Sequence, residues 1–168
     1  MSSASSRPGP VDGEVIAVAC DHAGHSLKTV VINLLRELEV PVADLGCASP
    51  EESVHYPLYG KRVVDALLAR PRSRGILICG TGLGMSIVAN RFAGIRAALC
   101  HDIFTASMSR RHNDSNLLVL GGRVIGPDLA KEIVKTWLTT PFEGGRHQER
   151  LDLLEQLARE DRPPMGKT

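Results

Sequence analysis

The sequence predicts an α/β fold: a three-layer α/β/α sandwich in which helices cover both faces of a five-stranded parallel sheet. Two observations carry this. Short runs that are apolar throughout alternate with segments of helical period, and strands lacking polar alternation are those buried on both faces. The strand-helix alternation also demands crossover connections, which are right-handed and lay the helices on the sheet. At 168 residues the chain is long enough for one domain with a full core.

EVIAVAC, residues 14–20, reads as the first strand, and SLKTVVINLLRELE, residues 26–39, as an amphipathic helix. VPVADLG is the second strand and PLYGKRVVDALLA the next helix. GILIC (75–79) and the helix MSIVANRF follow, then the strand IRAALC and the helix IFTASMSRR. NLLVLG is the fifth strand and PDLAKEIVKTWL its helix. HQERLDLLEQLARE (147–160) is a last helix beyond the sheet, placed to pack across a subunit interface. Residues 14–160 thus form a single domain, between small polar tails at 1–13 and 161–168 that are expected to be disordered.

The formal net charge of +1 gives no bulk field for nucleic acid or an anionic membrane, so an anionic ligand must be held by a few local cations. No apolar run approaches the length of a membrane span, and the polar N-terminus has no hydrophobic centre of a signal peptide. A cytoplasmic protein is expected. The cysteines at 20, 47, 79 and 100 form no C-x-x-C pair and no Cys/His spacing suited to zinc, so neither a disulfide nor a metal site is expected.

In sheets of this kind ligands bind beyond the carboxyl ends of the strands, where strand order reverses. The residues there are Asp21-His22, Gly80-Thr81-Gly82, His101-Asp102 and Gly121-Gly122-Arg123. Gly80-Thr81-Gly82-Leu83-Gly84-Met85 fails the dinucleotide fingerprint by one place and lacks the lysine of a P-loop. What remains is a loop whose converging backbone amides suit an anion: a phosphate, a carboxylate or an oxyanion formed during reaction. Cys79 stands at its lip. A thiol at a helix N-terminus is drawn from about 8.5 toward neutrality and suits proton abstraction or nucleophilic attack; the plainer alternative is a buried strand-end cysteine.

Each further cluster also has a plain alternative. Asp21-His22 sits where an N-cap is expected. Arg111-His112-Asn113-Asp114 reads as a loop before the fifth strand, although His112 is the residue type that moves protons near neutral pH. EGGRHQER puts Arg146, His147 and Arg150 on one helical face, where like charges repel unless a dianion lies among them; a solvated charged face is the alternative. Arg123 adds a fourth cation if it faces the same pocket. A thiol base, an oxyanion loop, a histidine, an acid-histidine pair and arginines for phosphate together suit proton transfer beside the carbonyl of a phosphorylated sugar.

CDHAG, the DLG and YP pair, ILICGTGLGMSIVANRFAGIRAAL, SRRHNDSNLLVLGGRVIG and EGGRHQER, in this order from Val15 to Arg159, resemble the type B ribose-5-phosphate isomerases of the ribose/galactose isomerase family. The resemblance implies a Rossmann-like homodimer, or tetramer, with active sites at the subunit interface. It implies interconversion of ribose 5-phosphate and ribulose 5-phosphate, a step of the pentose phosphate pathway, through a cis-enediolate and without metal or organic cofactor. Carried over by position, Cys79 moves the proton between C2 and C1, and the amides around Gly80, Gly82 and Gly84 hold the enediolate. His112, with Asp21 or Thr81, opens the furanose ring. Asn113 holds sugar hydroxyls, Tyr56 lines the sugar pocket, and His22, Arg123, Arg146 and Arg150 surround the phosphate, some from the partner subunit. One departure is His55, where the family often has Asp before Tyr-Pro. Rival readings are another substrate (allose 6-phosphate, galactose 6-phosphate or a tetrulose phosphate) and a non-catalytic sugar-phosphate sensor.

Overall fold

The computed structural model describes residues 14–70 and 72–160; the expected tails at 1–13 and 161–168 lie outside the described residues. The strands are β1 (Ile16–Cys20), β2 (Val42–Asp44), β3 (Gly75–Cys79), β4 (Ala97–Leu99) and β5 (Leu117–Gly121). They form one sheet in the order β2-β1-β3-β5-β4, with every pair parallel. The helices are α1 (His25–Glu37), α2 (Tyr56–Leu68), α3 (Leu83–Ala89), α4 (Ile103–Asn113), α5 (Pro127–Thr139) and α6 (Arg146–Glu160).

The inner strands β1, β3 and β5 are buried at every residue, as their unbroken apolar sequence requires, while the edge strands β2 and β4 are shorter and only half-buried. β4 starts later than its apolar run suggests because the Asn90 side chain clasps Ala97, accepting from its N–H and donating to its carbonyl, both at 3.0 Å. One face of the sheet packs against Val31 and Leu35 of α1 and Ile133 and Trp137 of α5; the other against Val63 and Leu67 of α2 and Met85 and Ala89 of α3. Fully buried Trp137 donates its indole N–H to Ser115 Oγ at 2.8 Å, so burying it leaves no polar group unpaired.

This arrangement positions the site. The chain leaves β1 for α1 on one face, and leaves the neighbouring β3 for α3 on the other. The loops after these two strands therefore part at the carboxyl edge, with Asp21 following one strand and Cys79 ending the other.

Candidate active site

Cys79 closes β3, and Gly80-Thr81-Gly82 turns the chain into α3. Gly82 lies in the left-handed region, φ +79°, and a Cβ there would meet Leu99 Cδ1 at 2.4 Å and the Leu120 carbonyl carbon at 3.1 Å. Only glycine fits. The turn brings the Gly82 N–H onto the Cys79 thiol, N···Sγ 3.2 Å, with Cys79 itself only 4 % exposed. Gly82→Ala combines a strained φ with a backbone collision, so a loss of about 2–4 kcal/mol is expected in urea unfolding.

Cys20 pairs with Ile78, so Asp21 comes level with Cys79 one strand spacing away, about 4.8 Å. Asp21 Oδ1 accepts from the Gly24 N–H at 3.0 Å, capping the 3-10 turn His22–Gly24 as the capping reading expects. Its other oxygen makes no hydrogen bond among the described residues. His22 Nδ1 accepts from the Val54 N–H at 3.3 Å, which leaves the ring proton on Nε2. Tyr56 opens α2 with its ring against Gly84, where a Cβ would stand 2.8 Å from Cε2 and Cζ. His55 precedes it, exposed and making no side-chain cap. From β5, the Gly122 N–H donates to the Cys79 carbonyl at 2.8 Å and the Arg123 N–H to the Gly80 carbonyl at 2.9 Å. The Arg123 side chain passes 3.6 Å from where a Gly80 Cβ would be. Arg123 therefore belongs with Cys79.

His112 and Asn113 lie in the last turn of α4, where the sequence suggests a loop. Asp114 makes the difference. It takes the left-handed conformation that ends the helix, φ 42°, and its carboxylate pairs with Arg96 at 2.9 Å and Arg110 at 2.8 Å. The His112 ring stacks on His147, at the start of α6, with centroids 4.2 Å apart and planes within 6°. Glu143 serves both. Its Oε1 pairs with Arg111, while Oε2 stands 3.8 Å from His112 Nε2 and 3.7 Å from His147 Nε2. A cleft of about 290 Å³ opens here, lined by His112, Asn113, His147, Arg150, Leu151 and Leu154. Burial pushes the proton affinity of His147 down, helped by His112, Arg146 and Arg150 and opposed by Glu143. The Arg111 hydrogen bond holds the Glu143 carboxyl below its ordinary range.

His112, Glu143 and His147 form the one group of three donor atoms within 4.8 Å of one another among the described residues. They suit a metal poorly. Parallel stacked rings aim their in-plane lone pairs side by side instead of at one point, and Arg146 and Arg150 repel a cation.

Cys79, Thr81, Asp21, His22, Tyr56 and Arg123 thus gather at the carboxyl edge of the sheet. His112 and Asn113 end the helix that runs back to the amino edge. There Gly75 N–H donates to the Asn116 carbonyl, and the four steps from Gly75 to Cys79 span about 13 Å. Within one chain these two clusters lie at opposite edges of the sheet and do not meet.

The sequence reading gives Glu143, the first residue of EGGRHQER, no role, because the Gly144-Gly145 break hides its four-residue spacing to His147. His101 has its Nε2 buried without a partner against Gly121, and Asp102 caps α4 by accepting the Thr105 N–H at 2.7 Å. All four cysteines are free thiols. Burial raises the affinities of Cys20 and Cys100 for their protons, in keeping with a structural place for both. No helix among the described residues is long and apolar enough to cross a membrane.

Residues 16–154 match the family model described as Ribose/Galactose Isomerase. The chain belongs to this family. Among members of the ribose/galactose isomerase family, ribose-5-phosphate isomerase B of Escherichia coli is 48 % identical over 142 residues, 84 % of this chain and 95 % of its own length. The solved ribose 5-phosphate isomerase of Thermotoga maritima superposes with a TM-score of 0.82 at 51 % identity, over 86 % of this chain and 99 % of that one. D-erythrulose-4-phosphate isomerase of Pectobacterium atrosepticum is 43 % identical over 130 residues, 77 % of this chain and 86 % of its own length. The fold of this family is the one described above, a parallel α/β sheet sandwiched by helices.

Proposed function

We propose that this protein interconverts ribose 5-phosphate and ribulose 5-phosphate through a cis-enediolate, at sites completed by a second copy of the chain. The observation that carries the reading is the Cys79 thiol under the glycine turn with Asp21 level beside it, in a chain 48 % identical to an enzyme of that name. Cys79, as thiolate, takes the C2 proton; the electron pair moves to the carbonyl oxygen, and the amides of Gly80, Gly82 and Gly84 stabilise the charge that forms there. Return of the proton to C1, with a proton passed between O1 and O2, gives the ketose. Tyr56 borders the sugar. His22 Nε2–H and Arg123 reach the phosphate from the same chain.

Ring opening must come first, since ribose 5-phosphate rests as a furanose. A base takes the anomeric hydroxyl proton while an acid protonates the ring oxygen. We assign this to His112 of the partner subunit, with Asp21 or Thr81 of the Cys79 chain, while Asn113 holds hydroxyls and Arg146 and Arg150 complete the phosphate site across the interface. Apolar surface stands ready for that interface. Leu153, Leu154 and Leu157 of α6 and Leu83 and Ile87 of α3 are all more than half exposed, and α6 leans chiefly on α4. A homodimer is the smallest assembly that brings the half-sites together, with the tetramer as its doubling. The chemistry asks nothing of nucleic acid or membrane, and cytoplasmic metabolism is its natural setting.

The erythrulose-phosphate relative, together with His55 at a position the family often gives to Asp, favours a second reading: the same chemistry on another sugar phosphate. Isomerisation of ribose 5-phosphate, allose 6-phosphate, galactose 6-phosphate and erythrulose 4-phosphate, measured side by side with chelator present, decides. The pentose is expected to lead in kcat/KM by at least about tenfold. A lead by another sugar moves the substrate assignment. Binding without conversion of any of the four returns the protein to the sensor class.

A further inference from the structure

His147 has no part in the reaction as described, yet it is 6 % exposed and its ring lies flat on His112 at 4.2 Å. Two imidazolium rings this close repel each other, so the stack disfavours carrying a positive charge on both rings at once. The charged groups that face it come from three elements: Arg111 from α4, Glu143 from the loop before α6, and Arg146 and Arg150 from α6 itself. Arg111 engages Glu143 Oε1, which leaves Oε2 facing both Nε2 atoms at 3.7 and 3.8 Å as the one group that favours the proton. Arg146 and Arg150 oppose it.

We propose that an anion bound at Arg146 and Arg150 draws one proton onto the His112–His147 stack, so that the substrate's phosphate arms the ring-opening histidine, with His147 as its positioning residue and Glu143 as the counter-charge. The inference rests on the reading of Arg146 and Arg150 as phosphate ligands. A bound dianion cancels the guanidinium charges on α6 and leaves the Glu143 carboxylate to act on the stack alone. The proton comes from solvent and returns there when the anion leaves. Burial, then His112 and the same two guanidiniums, push the proton affinity of His147 down in the free protein. The stack thus gains its proton as a phosphorylated sugar binds.

Calorimetry of sulfate binding near pH 7, in buffers of different ionisation enthalpy, counts the protons. Sulfate stays a dianion throughout, so any proton taken up belongs to the protein. Wild type is expected to take up about half a proton or more per site, since histidines titrate in this range. His147→Asn, which keeps both arginines, is expected to bind sulfate with most of that uptake lost. Glu143→Gln, at an exposed position, is expected to reduce it as well, and it carries the test if the buried substitution fails to fold. Sulfate binding without uptake in wild type overturns the proposal, as does wild-type uptake in either folded variant. If wild type binds no sulfate at all, the phosphate-site reading falls, and this inference with it; binding without uptake removes only the latter.

Discussion

Cys79→Ala is expected to lower turnover of ribose 5-phosphate by at least about 10³-fold, because the variant has no group at the lip of the glycine turn able to take the C2 proton. Asp21 is level with Cys79, but one of its oxygens is committed to the Gly24 N–H, and it lies across the strand from the turn. The substitution removes one sulfur atom and its 3.2 Å contact with the Gly82 N–H, which costs about 1 kcal/mol in a packed strand end. Circular dichroism and thermal unfolding should therefore stay close to wild type, and so should the affinity for sulfate. A variant that kept a tenth of wild-type turnover would remove the thiol from the reaction.

His112→Asn is expected to slow conversion of ribose 5-phosphate by about 10²–10⁴-fold, the range for loss of a positioned acid-base group. Its mark is directional. Ribulose 5-phosphate has no furanose to open, since the hydroxyl that would close the ring carries the phosphate. Deuterium uptake from D₂O into C1 of ribulose 5-phosphate should thus survive His112→Asn to within about tenfold and vanish in Cys79→Ala. An equal loss of exchange in both variants would place His112 in carbon-proton transfer, outside ring opening.

The cluster of residues around Cys79 is legible in the sequence because it hangs on inner strands. IAVAC, GILIC and LLVLG are apolar at every position, so their ends, and the residues just beyond them, can be read directly. The order of the strands is not legible. The chain passes from β3 to β4 over the place that β5 later fills, and no local pattern encodes a skipped place. At the amino edge it is the end of α4 that is misread, for local reasons. His112 and Asn113 look like loop because Asp114, which ends α4 in a left-handed conformation, is a loop-like residue whose ion pairs with Arg96 and Arg110 are long-range or hidden in a helical turn. Arg123 and the α6 arginines look alike as cations, and only the fold sends them to different clusters, Arg123 beside Gly80 and Arg150 beside His112. The separation of His112 from Cys79 within one chain follows from α4 running back along the sheet, which is legible once the helix end is placed.

The proposal of a site shared between two chains is open to direct measurement by mixing Cys79→Ala and His112→Asn proteins, each expected to be close to inactive, and assaying ribose 5-phosphate after subunit exchange verified by native mass spectrometry. In a mixed dimer one site receives Cys79 from one chain and His112 from the other, while the second site receives neither. Half the dimers are mixed at equilibrium, so activity should return to about one quarter of wild type. Verified exchange that leaves the mixture as inactive as its parents would contradict a site built from both chains.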